Sequence, residues 1–322
     1  MSPGTAFLLP GQGAQHERMA AGLYPAEPVF AAAMDEVLEL FAEPCLRHDW
    51  LTAVPRTPID DVARAQPLLF AVDYALARLV LSWGVRPGAL LGHSLGELVG
   101  AVLAGVFRLP DAVRLVRDRV RRARDAPAGG MLAVAAAPER VHPFLIGDVV
   151  VGAYNAPRQV VLAGPQPALG EVAAALRAAG LRCHPVPSGT PFHSPALAAA
   201  NAGAEEMVAG LPVAPPRVPL YSGYTGEPLG TTATDPAYWA GHPVEPVRFW
   251  PALDRLLGDG ARVVVETGPG QTLAQIARRH PAVRAGRARV VSLLPARPAG
   301  AEADRRAVAA ARTALGQRSA IT

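Results

Sequence analysis

Apolar positions along the chain fall into two kinds of run. Short, nearly uninterrupted apolar stretches occur at Thr5–Leu9, Val85–Gly92, Arg217–Ser222, Arg262–Glu266 and Arg289–Leu293, as in strands buried on both faces. Between them lie segments whose apolar residues recur every three or four positions, the helical period. These are residues 29–41, Ala65–Trp83 with Pro67 placed in its first turn, Leu95–Val106, the basic amphipathic Asp111–Arg124, Pro195–Gly210 and Thr272–Arg279. The Ala- and Arg-rich tail from Pro295 reads as a terminal helix. Strands alternating with helices predict an α/β fold with a mostly parallel sheet covered on both faces.

The middle of the chain breaks this rhythm. Met131–Ala136 reads as a strand and Pro138–Leu145 as a short helix. Val149–Ala153 and Gln159–Ala163 read as strands around a turn at Asn155-Ala156-Pro157. Leu169–Ala179 reads as a helix and Arg182–Val186 as a strand. The order β-α-β-β-α-β is the ferredoxin-like pattern, and α/β alternation resumes after it. Residues 129–191 are therefore expected to form an inserted ferredoxin-like small subdomain, with 1–128 and 192–322 forming the large one.

Composition narrows the chemistry. The 322 residues are 50% hydrophobic and 18% charged, enough to bury a large core. All 31 basic residues are Arg and none is Lys, which removes Schiff-base, P-loop-lysine and Ser-Lys chemistries. Two distant cysteines, Cys45 and Cys183, form no metal motif or disulfide framework, so a reducing cytoplasm is the default expectation. The N-terminus has no basic n-region, and no long apolar stretch free of charge or Gly/Pro breaks is found, so neither a signal peptide nor membrane association is expected. A net charge of +4 and 6% aromatic residues do not indicate nucleic acid.

One motif carries chemistry. Gly92-His93-Ser94-Leu95-Gly96 is a GxSxG between an apolar strand and a helix, the setting of a nucleophile elbow. It would present the Ser94 hydroxyl on a sharp turn at a helix N-terminus, where free N–H groups favour developing negative charge. A serine nucleophile needs a base. His93 is placed to support the turn. His193 sits in the Pro-punctuated loop Gly189-Thr190-Pro191-Phe192-His193-Ser194-Pro195 and is ranked modestly above His48, His142, His184, His242 and His280.

Four motifs occur in order: Pro10-Gly11-Gln12-Gly13-Ala14-Gln15, Gly92-His93-Ser94-Leu95-Gly96-Glu97, Phe192-His193-Ser194-Pro195 and Glu266-Thr267-Gly268-Pro269-Gly270. Together they resemble the malonyl-CoA:acyl-carrier-protein transacylase family, which includes the acyltransferases of polyketide synthases. The resemblance spans about residues 5 to 295 and implies an α/β-hydrolase-like large subdomain. It implies that Ser94 is acylated, that His193 is the base of a Ser-His dyad, and that a main-chain carbonyl, matched here to Arg248, orients the histidine. It further implies an oxyanion hole from the N–H groups of Gln12 and Leu95, with Gln66, Asn155 and His93 lining the acyl or pantetheine path.

The resemblance also matches Arg119, 25 positions after Ser94, to an arginine that holds the malonyl carboxylate; the alternative places it on a solvated face with Arg114, Arg117, Arg121, Arg122 and Arg124. Phe192 sides with malonyl over methylmalonyl, whereas Val120, Ala123, Thr190 and Pro191 depart from the family pattern. The implied activity moves an acyl group, malonyl first, from CoA through Ser94 to the phosphopantetheine thiol of an acyl carrier protein, without a cofactor. A carrier-to-carrier transferase for a larger acyl group, a carrier acyl hydrolase and a non-catalytic carrier-binding module are the competing readings. The start at Met1 is read as a discrete, trans-acting and monomeric enzyme.

Overall fold

The computed structural model describes residues 4–316. The first half runs β1 (Gly4–Leu9), α1 (Pro28–Phe41), α2 (Pro44–Leu51), α3 (Val62–Ser82), β2 (Ala89–Gly92), α4 (Leu95–Ala104) and α5 (Leu109–Ala123). Then come β3 (Gly129–Val134), α6 (Pro138–Val141), β4 (Val150–Ala156), β5 (Gln159–Pro165), α7 (Ala168–Ala178) and β6 (Cys183–Val186). The remainder holds α8 (Ala204–Ala209), β7 (Leu220–Tyr221), α9 (Pro236–Gly241), α10 (Phe249–Gly258), β8 (Ala261–Glu266), α11 (Thr272–Arg278), α12 (Pro281–Arg284), β9 (Arg289–Ser292) and α13 (Ala301–Gly316).

Five strands form a parallel sheet in the order β7-β2-β1-β8-β9. Its central strands show why the apolar runs are uninterrupted. Phe7 and Leu9 pack with α3 and α4 on one face, while Ala6 and Leu8 pack with α10 and α11 on the other. Successive side chains alternate between faces, so a sheet covered twice needs apolar residues at every position. By length and composition α3 is apolar enough to cross a membrane, yet 83% of its most apolar window is buried here, against α1, α4 and α5.

The other four strands form an antiparallel sheet in the order β4-β5-β3-β6, the ferredoxin-like arrangement expected from the pattern. One face buries Leu132, Val160 and Leu162 under Leu169, Val172 and Leu176 of α7. The opposite face turns Met131 and Ala163 toward Ala123, Phe192 and Leu197. A ladder ties this sheet to the other half of the chain: Tyr154 N–H donates to the Val247 carbonyl (2.7 Å) and Val247 N–H to the Gly152 carbonyl (2.8 Å).

Several expectations shift. The Asp61 carboxylate accepts from Ala63 N–H and starts α3 three residues early, so Pro67 stands inside the helix rather than in its first turn. The stretch expected to be helical over 195–210 holds only a 3-10 turn at Pro195–Leu197 and the short α8. Gly203, at φ 77°, adopts the left-handed conformation between them. Asn155 belongs to β4, not to the turn that follows it. The strands expected from Val85 and Arg217 shrink to β2 and β7, each preceded by Pro-containing turns. Helices α2, α9, α10 and α12 are additions to the expected set.

Candidate active site

Strands β1 and β2 lie side by side and parallel, with Leu9 opposite Gly92, so both carboxyl ends open at one sheet edge. Loops at that edge are where α/β folds gather ligands. His93 N–H donates to the Leu9 carbonyl (2.9 Å) and locks the loop after β2 to the end of β1. Ser94 follows at φ 54° and ψ −115°, as the N-cap of α4. A non-glycine residue holds such a conformation only when its surroundings impose it. Here they do: a Cβ on Gly96 would lie 2.0 Å from the Leu9 carbonyl oxygen, and one on Gly11 would lie 2.4 Å from the His93 carbonyl oxygen. The two glycines let the loop after β1 press against the elbow.

His193 also has a positive φ, 66°. Its N–H donates to the Pro243 carbonyl (2.7 Å). Its Nε2 lies 2.7 Å from Ser94 Oγ and its Nδ1 lies 2.9 Å from the Glu245 carbonyl oxygen. A carbonyl oxygen only accepts, so Nδ1 carries the proton and Nε2 presents a lone pair to the serine hydroxyl. The carbonyl that orients His193 is therefore that of Glu245, not of Arg248 as the motif implied. The Arg248 carbonyl is occupied: it accepts from Ala252 N–H as α10 begins. Burial first, then the neighbouring His93, pushes the His193 pKa down to about 4, against the opposing hydrogen bonds from its ring to backbone. The imidazole is thus neutral through the physiological range.

Around this pair lie two spaces. The outer is a cleft of ≈ 210 Å³ lined by Gly11, Gln12, Gln66, His93, Ser94, Asn155, Phe192 and His193 among others. In it His93 Nε2 and Asn155 Oδ1 are 2.8 Å apart, and Gln66 Nε2 donates to Gln12 Oε1 (3.2 Å). The inner space, bordered by Ser94, Leu95, Arg119, Phe192, Tyr224 and His242, is only ≈ 10 Å³, about what one water needs. Phe192 belongs to both walls. Leu95 follows Ser94 as the first residue of α4 and Gln12 borders the same cleft as Ser94, and among the described residues neither backbone N–H has a hydrogen-bond acceptor.

Arg119 does not sit on the solvated arginine face. It is 8% exposed, whereas Arg114 and Arg121 of the same helix are 62% and 63% exposed. Its Nη2 donates to the Trp239 carbonyl (2.8 Å). Among the described residues it has no carboxylate within ion-pair distance; Glu97 and Asp118 act on it from farther away, and burial lowers its pKa. Glu97 is itself fully buried, accepting from Gly223 N–H (2.7 Å) and from the Tyr238 hydroxyl. Burial pushes its pKa up to about 8, so at neutral pH it is a largely uncharged neighbour. His242 lies 3.8 Å from Glu97, and burial holds its pKa well below the ordinary value, so the two meet as neutral groups. A buried guanidinium without an anion is costly unless a bound one completes it.

The structure thus brings together Gln12, Gln66, His93, Ser94, Leu95, Arg119, Asn155, Phe192 and His193 and leaves the Arg248 carbonyl out. It adds Glu245, Tyr224 and His242. Glu97 stands in the elbow motif, which by itself gave it no role. Among the described residues no cluster of His, Cys, Asp or Glu is arranged to hold a metal ion.

The acyl transferase domain model matches residues 6–315. The chain belongs to the acyl transferase domain family. A phenolphthiocerol/phthiocerol polyketide synthase polypeptide of Mycobacterium tuberculosis (strain CDC 1551 / Oshkosh) is 39% identical over 278 residues, covering 85% of this chain and 19% of that protein. The chain therefore spans about a fifth of that relative's length. Among solved structures, the acyltransferase domain from the second module of the salinomycin polyketide synthase superposes with a TM-score of 0.85 at 36% identity, over 100% of this chain and 79% of that one. A loading acyltransferase from the avermectin modular polyketide synthase gives 0.86 at 31% identity, over 96% and 100%. The protein is an acyltransferase with the α/β-hydrolase-like core and small subdomain of these structures.

Proposed function

We propose that this acyltransferase moves a malonyl-type group from CoA, through an ester on Ser94, to the phosphopantetheine thiol of an acyl carrier protein. The observation that carries the substrate class is Arg119, a buried guanidinium without an ion-pair partner among the described residues, bordering the same small cavity as Ser94. A planar, permanently charged guanidinium is well matched to a carboxylate as a hydrogen-bond donor.

In this reading the donor's carboxylate enters toward Arg119 and its thioester carbonyl lies over Ser94. His193 Nε2 takes the Ser94 proton as Oγ attacks the carbonyl carbon. The oxyanion is met by the N–H groups of Gln12 and Leu95, each such donor contributing about 3–4 kcal/mol to the transition state. The tetrahedral adduct collapses by breaking the C–S bond, and the departing CoA thiolate receives the proton from His193. The carrier thiol then repeats the sequence in reverse: His193 takes its proton, sulfur attacks the Ser94 ester, and Ser94 Oγ leaves and is reprotonated. Acid–base chemistry suffices, so no metal or redox cofactor enters the route. Asn155, His93 and Gln66 line the outer cleft that the pantetheine arm would occupy.

Intact-protein mass spectrometry tests this directly. Malonyl-CoA is expected to give a single malonyl adduct that Ser94→Ala abolishes and a holo-carrier discharges. An adduct retained in Ser94→Ala overturns the assignment of the nucleophile. An adduct lost to water as fast without the carrier as with it makes the protein a hydrolase.

A further inference from the structure

Tyr224 lies in the loop after β7 and is 6% exposed. Its ring is held on several sides. It stacks on the His242 imidazole at 3.9 Å and 19°, meets Tyr238 edge-on at 6.2 Å and 88°, and lies 6.1 Å from the His193 ring. Its backbone N–H donates to Ser222 Oγ (2.9 Å). Ring and backbone are therefore both fixed, yet among the described residues the buried phenolic hydroxyl makes no hydrogen bond of good geometry, although it lies close enough to Ser94 for that side chain to act on it. Buried hydroxyls are almost always paired, so one left open at a cavity points to a missing acceptor.

That cavity is the one shared by Ser94, Arg119 and His193. Gln66 Oε1, on the same wall, is also unpartnered, its amide nitrogen being engaged by Gln12. Arg119 has already given one N–H to the Trp239 carbonyl, which reduces what its fork can offer a ligand. An anion in this space would meet one charged donor with spare N–H groups and one neutral donor with a spare O–H.

We propose that the Tyr224 hydroxyl is a second donor to the free carboxylate of the acyl donor, one carboxylate oxygen taking N–H from Arg119 and the other O–H from Tyr224. This rests on the malonyl-type reading above and adds to it the residue that completes carboxylate recognition. Burial raises the phenol's pKa, so the hydroxyl keeps its proton wherever the enzyme works. A donor without a free carboxylate gains nothing from this hydroxyl, so Tyr224 is a determinant of selectivity and not of the acyl-transfer chemistry.

The test is Tyr224→Phe in the full chain, which keeps the ring and its stacking and removes only the hydroxyl. Acylation of Ser94 is measured with malonyl-CoA, methylmalonyl-CoA and acetyl-CoA, with thermal melting as the folding control. Removal of one hydrogen bond to a charged group lowers kcat/KM for malonyl-CoA about 10- to 100-fold, mostly through KM, while acetyl-CoA changes less than about two-fold. Equal losses on both donors, or no loss on malonyl-CoA, overturn the assignment. Unchanged malonyl transfer with faster methylmalonyl transfer also overturns it, and makes the ring a steric wall instead. Tyr224→Met repeats the comparison if the phenylalanine variant is unstable. If the wild-type enzyme itself fails to prefer malonyl-CoA over acetyl-CoA, the malonyl-type reading falls. If it prefers malonyl-CoA and Tyr224→Phe keeps that preference, only the assignment of Tyr224 falls.

Discussion

Lowering the pH separates the His193 environment found here from that of an ordinary histidine. Burial and the nearby His93 hold the imidazole's pKa down to about 4, against the opposing effect of the Nδ1–H bond to the Glu245 carbonyl. A general base works only in its neutral form, and kcat/KM reports the titration of the free enzyme. At pH 5 a group with a pKa of about 4 is about 90% neutral, whereas one at the usual value near 6.5 is about 3% neutral, a difference of about 30-fold in active enzyme. The assay is the second-order rate of Ser94 acylation by malonyl-CoA, followed by rapid quench and intact mass between pH 5 and 7. That window stays below the Glu97 transition near 8 and above the range in which simple carboxylic acids become protonated. The expected profile is nearly flat. A ten-fold or greater fall between pH 7 and 5, with a midpoint near 6.5 and the fold intact by circular dichroism, would refute the argument that burial sets this histidine's basicity.

Arg119→Met removes the guanidinium while keeping a flexible apolar stem. Kinetics with malonyl-CoA and acetyl-CoA are expected to show a loss of about 10- to 100-fold on the first alone, from a charge-assisted hydrogen bond worth about 1.5–3 kcal/mol; equal losses would reduce Arg119 to a structural role. Glu97→Gln bears on stability. The Glu97 pKa is raised in the folded protein to about 8, so its stabilising contribution is complete below its unfolded value near 4.5 and is lost as pH rises toward 8. Denaturant titrations are expected to show Glu97→Gln gaining on the wild type as pH rises from 5 to 8; a pH-independent difference would contradict the shift. Gly96→Ala places a Cβ 2.0 Å from the Leu9 carbonyl oxygen, and the backbone must move. Urea melts are expected to show a loss of about 3 kcal/mol or more, with acylation impaired in the fraction that folds.

Much of the site was legible because its chemistry is local. Ser94 sits between an apolar strand and a helix, and the glycines that allow the elbow stand two residues on either side of it. The layout of the two sheets was legible for the same reason: uninterrupted apolar runs mark strands buried on both faces, and the antiparallel insertion changes the period. What stayed hidden depends on distant packing. Arg119 has the same local pattern as Arg114 and Arg121, and only the docking of α5 separates the buried arginine from the exposed ones. The Arg248 and Glu245 carbonyls are three residues apart in one loop, and the choice between them turns on where α10 starts. Tyr224 and His242 lie in irregular segments, 130 and 148 positions after Ser94, with no periodicity to mark them. The expected helix over 195–210 failed because alanine-rich composition signals helix wherever it occurs, while Gly203 breaks the run.

The ladder between Gly152, Tyr154 and Val247 has a bearing on protein engineering. It fastens the antiparallel sheet to the loop that supplies the Pro243 and Glu245 carbonyls, and those carbonyls hold His193. The unit to be exchanged in a chimera is therefore discontinuous. Grafting residues 129–191 from a relative imports one half of the ladder and leaves the other half behind. Mismatch at that seam would tilt the imidazole away from Ser94 without altering a residue of the dyad, giving a folded but slow enzyme. A graft that carries residues 241–248 along with the inserted sheet keeps both halves of the joint from one parent.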